Sequence, residues 1–192
     1  MTDMGPATGP LSIEPVWLNE PRRWRWSGGE LSLSTVPGSH FWRRTRTGAV
    51  NDSGHFLGTR MSREFTAAVE VQAGVGHEGD QAGLMVRLDA ERWVRCGWEF
   101  TEGGHGFGTV VTHAVSDWSR APLPSVPEWV SLRLTRRGDT LTVEYAVDGG
   151  VWQLHRQAYL PAEFRAYVGP MAVSPSGPGF DLRLRNWSLR PL

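Results

Sequence analysis

Residues 80–100 read DQAGLMVRLDAERWVRCGWEF, and their alternation is clean enough to assign both faces of two paired strands. In the first arm Ala82, Leu84, Val86 and Leu88 point one way, while Gln81, Gly83, Met85, Arg87 and Asp89 point the other, the period of two of a strand packed on one side. The second arm repeats the arrangement: Val94, Cys96, Trp98 and Phe100 form its apolar row, with Trp93, Arg95, Gly97 and Glu99 opposite. Asp89-Ala90-Glu91-Arg92 is short and polar enough to be the turn between them. The apolar rows predict a core face. The other face holds an amide, two guanidiniums, a carboxylate and an indole, with Gly83 and Gly97 as floor space, and is the candidate ligand face.

The same pattern extends outward along the chain. Glu30–Val36 places Leu31 and Leu33 inward, Arg63–Ala73 places Phe65, Ala67, Val69 and Val71 inward, and Phe180–Leu189 places Phe180, Leu182 and Leu184 inward. Trp129–Thr135 and Thr140–Val147 form a hairpin, and Asp148-Gly149-Gly150 signals a further tight turn into Val151–Arg156. Phe41–Arg46 is a short strand whose inward face stays ambiguous. Thr101–Gly108 is glycine-rich, Thr109–Val115 reads as a strand, and Ser116-Asp117-Trp118-Ser119 as a polar turn. About ten to twelve strands without a helix predict an all-β, two-sheet antiparallel β-sandwich. Residues 1–15, rich in Gly, Pro and Thr, read as a flexible extension, and residues 16–192 as a single sandwich domain.

Composition narrows the function. All 20 basic residues are arginine, so Schiff-base, pyridoxal-phosphate and P-loop chemistry, each of which needs a lysine, is excluded. Twenty acids balance them at a net charge of zero, and the arginines are scattered, so no nucleic-acid partner is expected. No segment reaches the roughly 18 apolar residues of a membrane span, and the first residues lack the order of a secretion signal, so a cytoplasmic chain without a membrane partner is expected. The single cysteine, Cys96, agrees with a reducing compartment. Of the 10 tryptophans, Trp98 and Trp152 read as core, whereas Trp42, Trp93 and Trp118 fall on polar faces or turns where an indole can stack on a ligand.

Phe41-Trp42-Arg43-Arg44-Thr45, Ser53-Gly54-His55-Phe56, Asp80-Gln81-Ala82-Gly83-Leu84-Met85-Val86, Gly97-Trp98-Glu99-Phe100, Val110-Val111-Thr112-His113, Ser116-Asp117-Trp118-Ser119 and Gly169-Pro170-Met171-Ala172 together resemble the DUF1349 family, in matching order. The resemblance implies a concanavalin A-like jelly roll of the lectin and glucanase type. The family includes a yeast member named as a regulator of enolase, which adds a protein partner to the possibilities.

The residues themselves point to a saccharide or similar polar ligand. Planar arginine, amide and carboxylate groups suit hydroxyl pairs, and an indole suits the apolar face of a sugar ring. The candidate ligand-binding residues are Trp42, His55, Gln81, Met85, Arg87, Trp93, Arg95, Glu99, His113, Asp117 and Trp118. Glu99 is also the candidate catalytic carboxylate of an alternative, glycoside-active reading. A retaining mechanism needs a second carboxyl about 5 to 5.5 Å away. Residues 97 and 101 are Gly and Thr, so that partner must come from another strand or from Asp117 or Asp80. The bland alternative is an ion pair of Glu99 with Arg87 or Arg95, contributing under about 1 kcal/mol. His77-Glu78-x-Asp80 and His113-x-x-x-Asp117 lack a third ligand at a diagnostic spacing, so neither a metal nor a cofactor is expected.

Overall fold

The computed structural model describes residues 14–61, 64–72, 74, 76–162 and 165–192. The expected extension at residues 1–15 therefore lies almost wholly outside the described residues. Strands β1 (Val16–Leu18), β2 (Arg23–Ser27), β3 (Glu30–Ser34), β4 (Phe41–Arg43), β5 (Val50–Asp52), β6 (His55–Met61) and β7 (Phe65–Gln72) lead to the central hairpin. That hairpin is β8 (Gln81–Arg87) and β9 (Arg92–Thr101). It is followed by β10 (Gly104–His113), β11 (Val115–Pro122), β12 (Trp129–Arg137), β13 (Thr140–Val147), β14 (Gln153–Tyr159), β15 (Ala166–Val173) and β16 (Asp181–Pro191). The strands exceed the expected number in part because β1 and β5 have only three residues each, too few to display a period.

Two seven-stranded sheets form the jelly-roll sandwich, ordered β1-β6-β15-β8-β9-β10-β11 and β14-β13-β12-β7-β16-β3-β2, and β4-β5 is a separate two-stranded ribbon. The core lies between the sheets, where Leu84, Val94, Cys96, Trp98 and Phe107 of the first meet Phe65, Val69, Leu132, Leu134 and Leu184 of the second. Each large apolar side chain buried there contributes roughly 1.5–3 kcal/mol. The central hairpin keeps the predicted faces, and its register sets Gln81 opposite Glu99, Gly83 opposite Gly97 and Met85 opposite Arg95. Asp148 and Gly149 take φ of 49° and 72°, the left-handed pair that a tight hairpin turn needs.

Two local expectations are corrected. The strand expected to begin at Thr109 begins at Gly104 and pairs along β9 as far as His113 opposite Arg92. Ser116–Ser119 is not a turn. The chain reverses at Ala114 (φ 63°), and Trp118 lies in mid-strand opposite Val110. Trp152, expected in the core, is 40% exposed and lies under the Arg133 guanidinium, 4.4 Å from the ring centroid. No helix is long and apolar enough to cross a membrane among the described residues.

Candidate functional site

The outward face of β8 and β9 is half covered. The β4–β5 ribbon lies across it and builds a second, smaller core from Phe41, Phe56, Met85, Trp93, Val110, Met171 and Val173. Two ion pairs hold the ribbon down: Arg87 forks onto both carboxylate oxygens of Asp52 at 2.8 and 2.7 Å, and Arg43 meets Glu91 at 2.6 Å. Arg43 also donates from its backbone N–H to Ser116 Oγ at 2.9 Å.

Where the ribbon ends, a cavity of about 520 Å³ opens over the same sheet face. Arg95 and Glu99 reach it from β9, Trp118 from β11, His40 and Trp42 from the ribbon side, and Glu78 from the loop before β8. Glu99 is only 5% exposed. Its Oε2 accepts hydrogen bonds from Trp118 Nε1 at 3.2 Å and Gln81 Nε2 at 3.3 Å. Its Oε1 lies 3.3 Å from Arg120 Nε. That last contact is an ion contact without the alignment of a hydrogen bond, so Glu99 Oε1 and Arg120 Nε both lack a hydrogen-bond partner among the described residues. Arg120 is anchored by its Nη2, which donates to the carbonyls of Gly104 at 2.9 Å and His105 at 3.0 Å.

Glycines of β10 make room for these charges. A Cβ at Gly106 would stand 2.5 Å from Arg120 Nε, and one at Gly108 only 1.9 Å from Glu99 Oε2. Gly83 and Gly97 have a different reason from the expected ligand floor: a Cβ at either would strike a carbonyl oxygen of the paired strand at 2.0 Å.

Burial dominates the electrostatics. It lifts the Glu99 carboxyl from its ordinary 4.5 to about 7, against the lowering influence of Arg95, the Trp118 hydrogen bond and Arg120. Burial likewise lowers Arg95 to about 10, despite the nearby Glu99 charge, which leaves the guanidinium charged at neutral pH. His40 stacks on Trp42, with ring centroids 6.0 Å apart and planes within 10°. Desolvation and then the Arg95 charge bring His40 down to about 3, so its ring is neutral.

Of the residues singled out from the sequence, Trp42, Arg95, Glu99 and Trp118 line this cavity, with Gln81 behind Glu99. The others are placed elsewhere. Met85 and Trp93, expected on the ligand face, are 0% and 1% exposed inside the second core, because the ribbon covers them. Arg87 serves the ribbon. His55, 3% exposed, donates from Nδ1 to Asn19 O at 2.6 Å and accepts from Val36 N–H at 3.0 Å, which makes it a fastener between loops. His113 and Asp117 face the other sheet: His113 Nε2 donates to Tyr159 O at 3.0 Å, and Asp117 pairs with Arg156 at 2.9 Å. Asp80 is buried and accepts from His77 N–H at 2.8 Å. Neither Asp117 nor Asp80 therefore lines the cavity beside Glu99; Glu78 does. Arg120, His40 and Glu78 were missed. For Arg120 the signal was present, since reading Ser116–Pro122 as a strand places Trp118 and Arg120 on one face. No group of three His, Cys, Asp or Glu is placed to hold a metal ion among the described residues.

The family described as "Protein of unknown function (DUF1349)" matches residues 17–192. Over 174 residues the chain is 37% identical to the Saccharomyces cerevisiae protein named Regulation of enolase protein 1, across 91% of this chain and 88% of that one. A crystal structure of a functionally unknown Saccharomyces cerevisiae protein matches with a TM-score of 0.88 at 37% identity, over 93% of this chain and 97% of that one. A GH43 protein of Bacillus licheniformis matches at a TM-score of 0.71 and 15% identity, over 95% of this chain but 38% of that one, a likeness of fold alone.

Proposed function

Because the chain belongs to the DUF1349 family, a grouping described as of unknown function, we propose a role from its cavity: a lectin-like module that binds a saccharide or similar polyhydroxylated metabolite. One observation carries this reading. Two ionisable side chains, Arg95 and Glu99, are each 5% exposed, yet both line one open cavity flanked by Trp42 and Trp118. Burying an ion costs several kcal/mol unless its hydrogen-bonding capacity is met. Glu99 Oε1 is left without a hydrogen-bond donor, and a ligand hydroxyl would supply one. The indoles would cover the apolar face of the same ring.

A thermal-shift screen of sugars and polyols, followed by calorimetry, tests the reading. Glu99→Gln keeps one acceptor and the side-chain shape but loses charge assistance, so affinity should fall by about 1 to 2 kcal/mol. A Glu99 that instead served as a catalytic acid would keep its affinity in the same variant and lose turnover by orders of magnitude. If no sugar or polyol shifts the melting temperature, the reading fails.

The name of the yeast relative favours a second reading, contact with enolase. Trp24 and Trp26, 40% and 39% exposed on β2, offer an apolar face on the strand that ends the second sheet among the described residues. Stoichiometric capture of purified enolase, lost on replacing both indoles by alanine and accompanied by no sugar binding, would put this reading first.

A further inference from the structure

We infer that the ligand is a sugar acid, a polyhydroxylated monocarboxylate whose carboxylate is gripped by the terminal nitrogens of Arg95. This rests on the saccharide reading and narrows it. Arg95 is 95% buried, and its one side-chain hydrogen bond among the described residues runs from Nε to Phe41 O at 3.3 Å. That bond orients the guanidinium and leaves the two terminal nitrogens without a hydrogen-bond partner among the described residues, at the cavity wall. Glu99 does not fill the role, because its oxygens are engaged by Arg120, Trp118 and Gln81 and it forms no ion pair with Arg95. The other acid lining the cavity, exposed Glu78, forms none either.

A guanidinium with two free parallel donors matches the two oxygens of a carboxylate, and a single neutral hydroxyl leaves half of that fork unmet. The charge balance selects a monoanion. Arg46 and Arg95 line the cavity with Glu78 and Glu99, and Arg120 stands against Glu99, so the group carries one positive charge in excess, which a monoanion balances and a dianionic phosphate exceeds. Thr47 and Asn51 also line the cavity, with a hydroxyl and an amide for the rest of the molecule.

Calorimetry of the full chain with matched pairs that differ at the acid tests the inference: D-glucuronate against D-glucose, D-galacturonate against D-galactose, and D-gluconate against D-glucitol. The expected result is a preference of about tenfold or more for the acid in at least one pair. Arg95→Met should erase that preference, so that the acid and its neutral partner bind the variant with equal affinity. Arg95→Lys, which keeps the charge without the fork, should retain only part of it. The wild-type comparison stands even if a variant fails to fold. Equal affinity for acid and neutral members overturns the inference and leaves the saccharide reading intact. Binding of neither member overturns both. Acetate bound as tightly as the sugar acids overturns the polyhydroxylated part of each while keeping Arg95 as an anion anchor.

Discussion

Replacing Glu99 by glutamine should remove a pH dependence of stability that the wild-type chain carries between about 4.5 and 7, the ordinary and the folded pKa of this carboxyl. Across that interval the folded chain holds a proton that the unfolded chain has released. The stability associated with it is complete below the unfolded pKa and is lost as pH rises through the folded one. The distance between the two values corresponds to about 3 kcal/mol. Histidines titrate in the same region with the opposite sign. Burial lowers His40 to about 3 and also lowers His55, His105 and His155, so their contribution is present above 6.5 and lost as pH falls. The wild-type curve mixes both effects, and only the difference from the variant isolates Glu99. Urea unfolding of both proteins from about pH 4.5 to 8 should show the wild type losing about 3 kcal/mol relative to Glu99→Gln. The amide keeps one acceptor for Trp118 and Gln81, so a constant offset of about 1 kcal/mol is expected beneath that slope. A difference that stays flat across the window would refute the reasoning, because Glu99 would then ionise in the fold as it does in the open chain.

Gly108→Ala should cost about 1 to 3 kcal/mol and weaken ligand binding, because the new methyl would stand 1.9 Å from Glu99 Oε2 and displace the carboxylate; urea melts and calorimetry check both effects. Cys96→Ser should cost about 1 to 3 kcal/mol while leaving ligand affinity unchanged, since the side chain lies between the sheets, away from the cavity. Burial also pushes the Cys96 thiol up to about 12, so a thiol reagent should label it only at the rate of unfolding; fast native labelling would show the faces of β9 to be reversed.

The extent to which the site could be read in advance follows the range of the interactions involved. Glu99 and Arg95 were legible because they alternate with Cys96 and Trp98 on one strand, and a two-residue period states sidedness without reference to the rest of the chain. Trp118 was noticed as an exposed-looking indole but placed in a turn, because the polar run 116–119 resembles turn chemistry until it is paired with β10. Arg120 was lost with it.

The sequence alone determined which faces of the strands are apolar, where the Asp148-Gly149 turn falls and which chemistries a lysine-free chain cannot perform, since each of these is a property of neighbouring residues or of composition. Tertiary structure alone decided what covers the outward face. The β4–β5 ribbon, about forty residues upstream of β8 and β9, turned Met85 and Trp93 into core, drew Arg87 to Asp52 and left Arg95 and Glu99 at an open cavity. Local periodicity tells which way a side chain points. What it meets there depends on a segment distant in the chain, held by contacts that have no local signature.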